Sequence, residues 1–371
     1  DVETGWGNDN KIVVSGEKYD GWYHDGGQDS HHKSQDEHLD VRSIDGEYIH
    51  LQTLPQYSHI GPRVDHRCVV VNLTRDVKFT VTDLDAPSHR RPHFMAMGPD
   101  VLIENAVFEG FGRTNKDHPA VDVATLLPPE QCPNTGAAYC ECDGVRVCPT
   151  SNIKGRYALH LHRTGFDAEL PLIHGVVIDG SPGWGIVQHD CKAVITNCTA
   201  YNCTGAGFVA ETGNETGSWI GNTAIACRGA NGQSPKDGND TSGVDFDLGR
   251  TGDGFWFQGR QIKSVGNIAA SCNNGFSFMH RGKGMINPTA DITDHAENYW
   301  GQEVLVDHVP IQIFDNNEAM ACRRGLHVTK AGPRQGHDVR SVMTGFKAWN
   351  CIQGAEFLYT GHYTLIDFDV H

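Results

Sequence analysis

Short apolar runs broken by glycine-bearing corners fill this chain, and no stretch keeps the three-to-four-residue period of an amphipathic helix. Lys11–Val14, Tyr48–Leu51, Cys68–Val71 and Val77–Val81 read as short strands. From about residue 195 the pattern becomes a repeat of alanine, two residues, cysteine, one or two residues, glycine and an apolar strand. Ala200-Tyr-Asn-Cys203-Thr-Gly205 leads to Phe208, and Ala224-Ile-Ala-Cys227-Arg-Gly229 follows 24 residues later. Ala269-Ala-Ser-Cys272, Ala319-Met-Ala-Cys322 and Ala348-Trp-Asn-Cys351 continue the series at intervals of 45, 50 and 29. The shorter intervals fit one coil of a parallel β-helix, and the longer ones fit a coil with an inserted loop or two coils.

A single coil cannot bury its apolar face, so like residues stack on like in the next coil. The expected fold is all-β, a right-handed parallel β-helix or solenoid with loop insertions, preceded by a small β-rich segment. The β-rich segment is placed at 1–90 and the helix at 91–371, with insertions near 113–152, 230–250 and 282–310. Cys203, Cys227, Cys272, Cys322 and Cys351 then form an inward ladder of small hydrophobes, the alternative being disulfides between coils. Cys132, Cys140, Cys142 and Cys148 crowd a Pro/Gly-rich excursion and read as a disulfide-stapled loop.

The 46 acidic and 30 basic residues give a formal charge of −16, which argues against a nucleic-acid partner or an anionic membrane surface. No run approaches the roughly 18 apolar residues of a spanning helix, so membrane insertion is not expected. The 43 glycines suit a turn-dense β fold. Twelve cysteines, with sequons at Asn72, Asn197, Asn202, Asn214 and Asn239, point to secretion or the cell surface and to a glycoprotein. Asn197 and Asn202 are the weaker pair, because Cys198 and Cys203 beside them are expected to be buried. An apolar end at His371 without a polar cap points to truncation or to assembly as a homo-oligomer or filament.

Gly155-Arg-Tyr-Ala-Leu-His160-Leu-His162 resembles the Gly-Arg-Tyr-Pro-Ile-His-Phe-His signature of the G8-domain and parallel β-helix repeat family. That family includes the cell-surface hyaluronidases and the fibrocystin-like proteins. Ala210-Glu211-Thr-Gly-Asn-Glu215 is similar to its Glu-Asp-Gly-x-Glu turn, and His93-Phe-Met-Ala-Met-Gly98 to its histidine-methionine strand. Residues 48–80 resemble the segment leading out of the G8 domain, while the body of that domain is missing before Asp1. The resemblance implies a glycan-acting or glycan-binding extracellular protein, and any enzyme activity would be that of a polysaccharide hydrolase or lyase.

Residues two apart on a strand share a face, so His160 and His162 point the same way. Counting four residues from Gly185, Gly207 and Gly254 brings His189, Glu211 and Gln258 into one polar column beside them. His160, His162, His189 and Glu211 are therefore the candidate catalytic set, and the three histidines a candidate site for a divalent metal such as Ca or Zn. A hydrogen-bonded ladder that only stabilises the stack is the alternative. Asp190 would face the other way on a regular strand. Arg156, Arg163 and Trp300 are candidate substrate-binding residues for a polyanionic glycan. Trp219, Phe255, Trp256 and Tyr299 could line a groove, though Phe255, Phe257, Phe276 and Phe278 have core spacing. Arg156 or Arg163 would also serve a lyase by neutralising a uronate, leaving a structural, non-catalytic glycoprotein as the rival to both enzyme classes.

Overall fold

The computed structural model describes residues 6–19, 34–117, 120, 125–126, 146–147, 152–166, 171–229, 249–279, 285–286, 303–306, 308–329 and 340–371. The cysteine-rich excursion, Asn239, Tyr299, Trp300 and most of the three insertions lie outside the described residues. The protein is all-β. Tyr48–Leu51, Glu37–Asp45, Lys11–Val14 and Val70–Asn72 form an antiparallel sheet in that order. From Val77 onward the described strand pairings are parallel, except for the short pair Met285–Ile286 and Val304–Leu305. The parallel stack thus starts before residue 90, with Val77–Thr80 laid on Ala106–Glu109.

Within each repeat the chain visits three parallel ladders in turn, and Ile186–Thr196 followed by Thr199–Cys203 shows the path. Ile186, Val187 and Gln188 pair with Phe208, Val209 and Ala210 in the first ladder. Lys192 to Thr196 pair with Thr216 to Ile220 in the second, and Thr199 to Tyr201 with Thr223 to Ile225 in the third. Corners fall where the backbone turns left-handed, at Arg163 and Asp190 after the first ladder and at Asn105, Asn197 and Asn316 after the second. Asn and Asp tolerate this conformation better than other non-glycine residues because their short side chains bond locally. Asn202, Ala226, Ser271, Ala321 and Asn350 take the same conformation directly before the repeat cysteines.

Inward positions repeat their residue type from strand to strand. Phe208, Phe255 and Phe276 stack with successive ring centroids 4.8 Å apart, and Phe257 lies 4.5 Å from Phe278. Such stacking adds about 0.5–1.5 kcal/mol per pair to the burial term. Cys203, Cys227, Cys272 and Cys322 are fully buried with free thiols, and Cys351 ends the series half-buried. The ladder is therefore one of packed thiols, as its spacing implied, and burial raises those of Cys272 and Cys322 well above the usual range. Gly207 precedes Phe208 for a steric reason: a Cβ there would lie 2.9 Å from the Gly254 carbonyl oxygen and 3.1 Å from Cys227 Sγ.

The antiparallel sheet covers the outer face of the third ladder, where Val13, Val71 and Leu73 pack with Val107, Val177, Ile225 and Met320. Trp219 and Trp256 are fully buried and Phe255 lies in the core, so none of the three lines a groove. The three apolar rings have more surface to lose in the stack than an open face would let them bury.

On the outer face of the first ladder, Ser277, His327 and Glu356 occupy one register position on successive strands. His327 is only 3% exposed, and burial with the nearby Arg324 and Arg323 charges pushes it down to about 3. A histidine whose folded value lies below the unfolded value near 6.5 takes up protons preferentially on unfolding. Its contribution is therefore complete above about pH 6.5 and is lost as the pH falls toward 3. Denaturant unfolding between pH 7.5 and 4.5 is expected to show stability falling by roughly 1 kcal/mol per unit from this group. His327→Gln should flatten that slope, and an unchanged slope would show that His327 is not buried neutral.

Candidate functional site

His160 and His162 lie on Leu159–Gly165, which packs between Phe94–Ala96 and Ile186–Thr196 in the first ladder. Leu159 and Leu161 point into the core, which turns both histidines outward. The register sets His160 beside Val187 and His162 beside His189. One strand on, Glu211 N–H donates to the Gln188 carbonyl at 3.0 Å, and Gln258 N–H to the Ala210 carbonyl at 3.1 Å. The column read from the glycine spacing therefore exists, in the order His162, His189, Glu211, Gln258. The Gln258 amide also donates to the Glu211 backbone carbonyl.

His162 and His189 are the last residues before the first corner, since Arg163 and Asp190 adopt φ of 54° and 51°. This placement puts both rings beside the corner, where they meet edge-on at 4.6 Å. Asp190 does not simply face away as a regular strand would require; at the corner its carboxylate meets Arg163 Nε at 3.4 Å and accepts from the Asn214 amide. Glu215, 1% exposed, holds the next turn by accepting from the backbone N–H groups of Asp190, Thr212 and Gly213 at 2.7–3.0 Å. A carboxylate that satisfies three donors fixes a loop without a strand ladder. Its role was not assigned from sequence, although it closes the turn motif that begins at Glu211.

The four candidate residues converge. Glu211 Oε2 lies 3.5 Å from His160 Nε2 and 3.2 Å from His189 Nδ1, and His162 Nδ1 lies 3.2 Å from His189 Nδ1. The His160 ring stacks on that of His189 at 5.5 Å and meets His162 edge-on at 5.1 Å. Side-chain exposure is 1% for His160, 14% for Glu211 and 20% for His189, so the cluster is sealed on one side and reachable from the other. Tyr157 packs on His160 and on Trp184 behind it, and the wholly buried Lys116 sets Nζ 3.6 Å over the Trp184 ring. This cation and its aromatic wall were not anticipated, because Lys116 sits in what reads as an insertion.

The electrostatics divide the set. Burial holds His160 down at about 4, and His162 is also lowered by burial, by His189 and by Arg163. For His189 burial opposes the charge, but the Glu211 carboxylate outweighs it and leaves the value raised. Glu211 is held at about 2 against its own burial by His189, His160 and Lys116. Glu211 is thus a carboxylate, and His160 a neutral imidazole.

Arg156 and Arg163 are both near enough for their charges to depress His162, and the Arg163 side chain is 66% exposed. A cleft of about 480 Å³ opens elsewhere, lined among others by Lys11, Arg91, Glu109, Asp179 and Arg228, and none of the four converging residues borders it. Among the described residues, no helix is long and apolar enough to cross a membrane. Compared with known protein families and with curated protein sequences, the chain matches none of them.

Proposed function

We propose that this protein is a secreted or cell-surface right-handed parallel β-helix that acts on a polysaccharide, in the manner of the cell-surface hyaluronidases it resembles. The observation that carries the reading is the convergence of His160, His162, His189 and Glu211 at one partly open point on the outer face of the first ladder. Three rings and an ionised carboxylate on four register-locked positions exceed what stacking alone requires, because inward columns already hold the strands together. The three ladders visited in order, with cysteine, alanine and phenylalanine columns inside, favour the solenoid.

Arg156 and Arg163 supply positive charge beside the cluster for a uronate-bearing chain, which an acidic protein must recruit locally. Asn197 and Asn202 are exposed at corners, despite the buried cysteines that follow them, and suit N-glycans better than Asn214, whose amide is engaged by Asp190. The full chain, incubated with hyaluronan and separately with chondroitin, should shorten hyaluronan as read by size-exclusion chromatography. No shortening of either polymer by folded protein would support the rival reading, a non-catalytic structural glycoprotein.

A further inference from the structure

The contacts at the histidine–glutamate centre cannot all be hydrogen bonds. His160 Nδ1 lies 2.9 Å from the Gly155 carbonyl oxygen, so Nδ1 carries the proton and Nε2 presents a lone pair. That lone pair faces Glu211 Oε2 at 3.5 Å. Both atoms are buried, and neither reaches hydrogen-bonding geometry with any partner. Protonating His160 on both nitrogens would supply a donor, but would place an imidazolium in a site 1% exposed to water. At His189, Nδ1 faces Glu211 Oε2 and His162 Nδ1, each at 3.2 Å. A single ring nitrogen either donates to the carboxylate or accepts from His162, and cannot do both. Protons therefore leave at least one of these close contacts unsatisfied.

We propose that the centre is a divalent transition-metal site ligated by His160, His162 and His189, with the Glu211 carboxylate beside two of the three and zinc as the ion its donors suit best. A cation among the three imidazoles accepts their lone pairs at once, and its charge satisfies the Glu211 carboxylate beside it. The spacing supports it: bonds of about 2.0–2.1 Å to a tetrahedral zinc place neighbouring ligand atoms about 3.3 Å apart, and His162 Nδ1 lies 3.2 Å from His189 Nδ1. One ligand atom from each of the three histidines fits within a span of 4.8 Å. Three imidazoles exclude calcium, which takes six to eight oxygens, and favour zinc or a neighbouring first-row ion. The Gly155 carbonyl supplies the outer contact that orients a metal-binding histidine. A second trio, Asp65, His66 and Asp369, offers comparable ligand types. There the Arg63 guanidinium already stands among the ligand atoms, donating to His66 Nδ1 at 3.0 Å and to Asp369 Oδ2 at 2.7 Å, so a cation is present without a metal.

The proposal rests on reading these four residues as one centre, and its test reads metal rather than glycan. The full chain, purified without added metal, is expected to carry about one zinc by elemental analysis, to lose it to a chelator and to regain it on titration. Cobalt substituted into the stripped protein should give the intense visible bands of a four-coordinate site. His162→Ala should weaken zinc binding by more than about 100-fold and Glu211→Gln by about 10- to 100-fold, while Asp369→Asn leaves it unchanged. Folded protein that retains no zinc and shows neither cobalt bands nor a zinc-dependent rise in melting temperature would overturn the assignment. So would loss of the metal in Asp369→Asn alone. A zinc-loaded protein inert toward hyaluronan would remove the glycan reading and leave the metal site standing.

Discussion

Asn267→Ala is expected to destabilise the protein by about 4 kcal/mol, a larger effect than removing any single cysteine of the ladder. Asn267 is fully buried at the corner between the second and third ladders. Its Oδ1 accepts the Asn222 backbone N–H at 2.9 Å, and its amide donates to the Trp219 carbonyl at 2.8 Å and to Ser264 Oγ at 3.0 Å. Asn317 does the same one repeat further on, accepting the Asn267 N–H at 3.0 Å. Alanine would strand a backbone donor and a backbone acceptor away from water, at about 1–3 kcal/mol each. Cys272→Ala removes only a thiol whose nearest carbonyls are Ala270 at 3.3 Å and Ala224 at 3.8 Å, and should cost about 1 kcal/mol. Guanidinium unfolding of the two variants beside the parent measures the difference. Equal losses would mean that the asparagines are not what holds the corners.

The contrast also marks what the sequence reveals. The cysteine ladder was legible because a small hydrophobe stacked at a fixed place in each repeat must recur with the repeat. The glycine-to-site count worked for a related reason, since the Gly185, Gly207 and Gly254 positions admit no side chain and therefore mark register. The asparagine corners were not legible: Asn222, Asn267 and Asn317 each stand beside another polar or glycine residue, and in sequence such pairs look like any exposed turn. Nor were the left-handed corners inside Leu159–Gly165 and Ile186–Thr196, where Arg163 and Asp190 interrupt what read as regular strands. Missing those bends misdirected Asp190 and hid why His162 and His189 meet. The burial of Trp219 and Trp256 was missed because strand alternation assigns a side chain to a face without saying whether that face is covered.

His162→Ala should separate a reactive centre from a stabilising ladder, because its neighbour His160 provides the comparison within one strand. His162 is partly exposed, and its polar contact is with His189 at 3.2 Å. Compared in metal-stripped protein, its removal opens the accessible side of the cluster and should change stability by less than about 1 kcal/mol. His160 is 1% exposed, bonded to the Gly155 carbonyl and packed on Tyr157, so His160→Ala should cost about 1–3 kcal/mol or more by unpairing that carbonyl and leaving a void. If the cluster performs the chemistry, both variants lose hyaluronan cleavage by at least about 100-fold, the lower end of what a positioned acid, base or ligand contributes. The loss in His162→Ala then occurs in a protein whose metal-stripped form melts almost as the metal-stripped parent does. Melting curves and size-exclusion profiles on the same preparations decide the matter. A His162→Ala protein that melts as early as His160→Ala, from a parent with no depolymerising activity, would make the column a structural element of the stack.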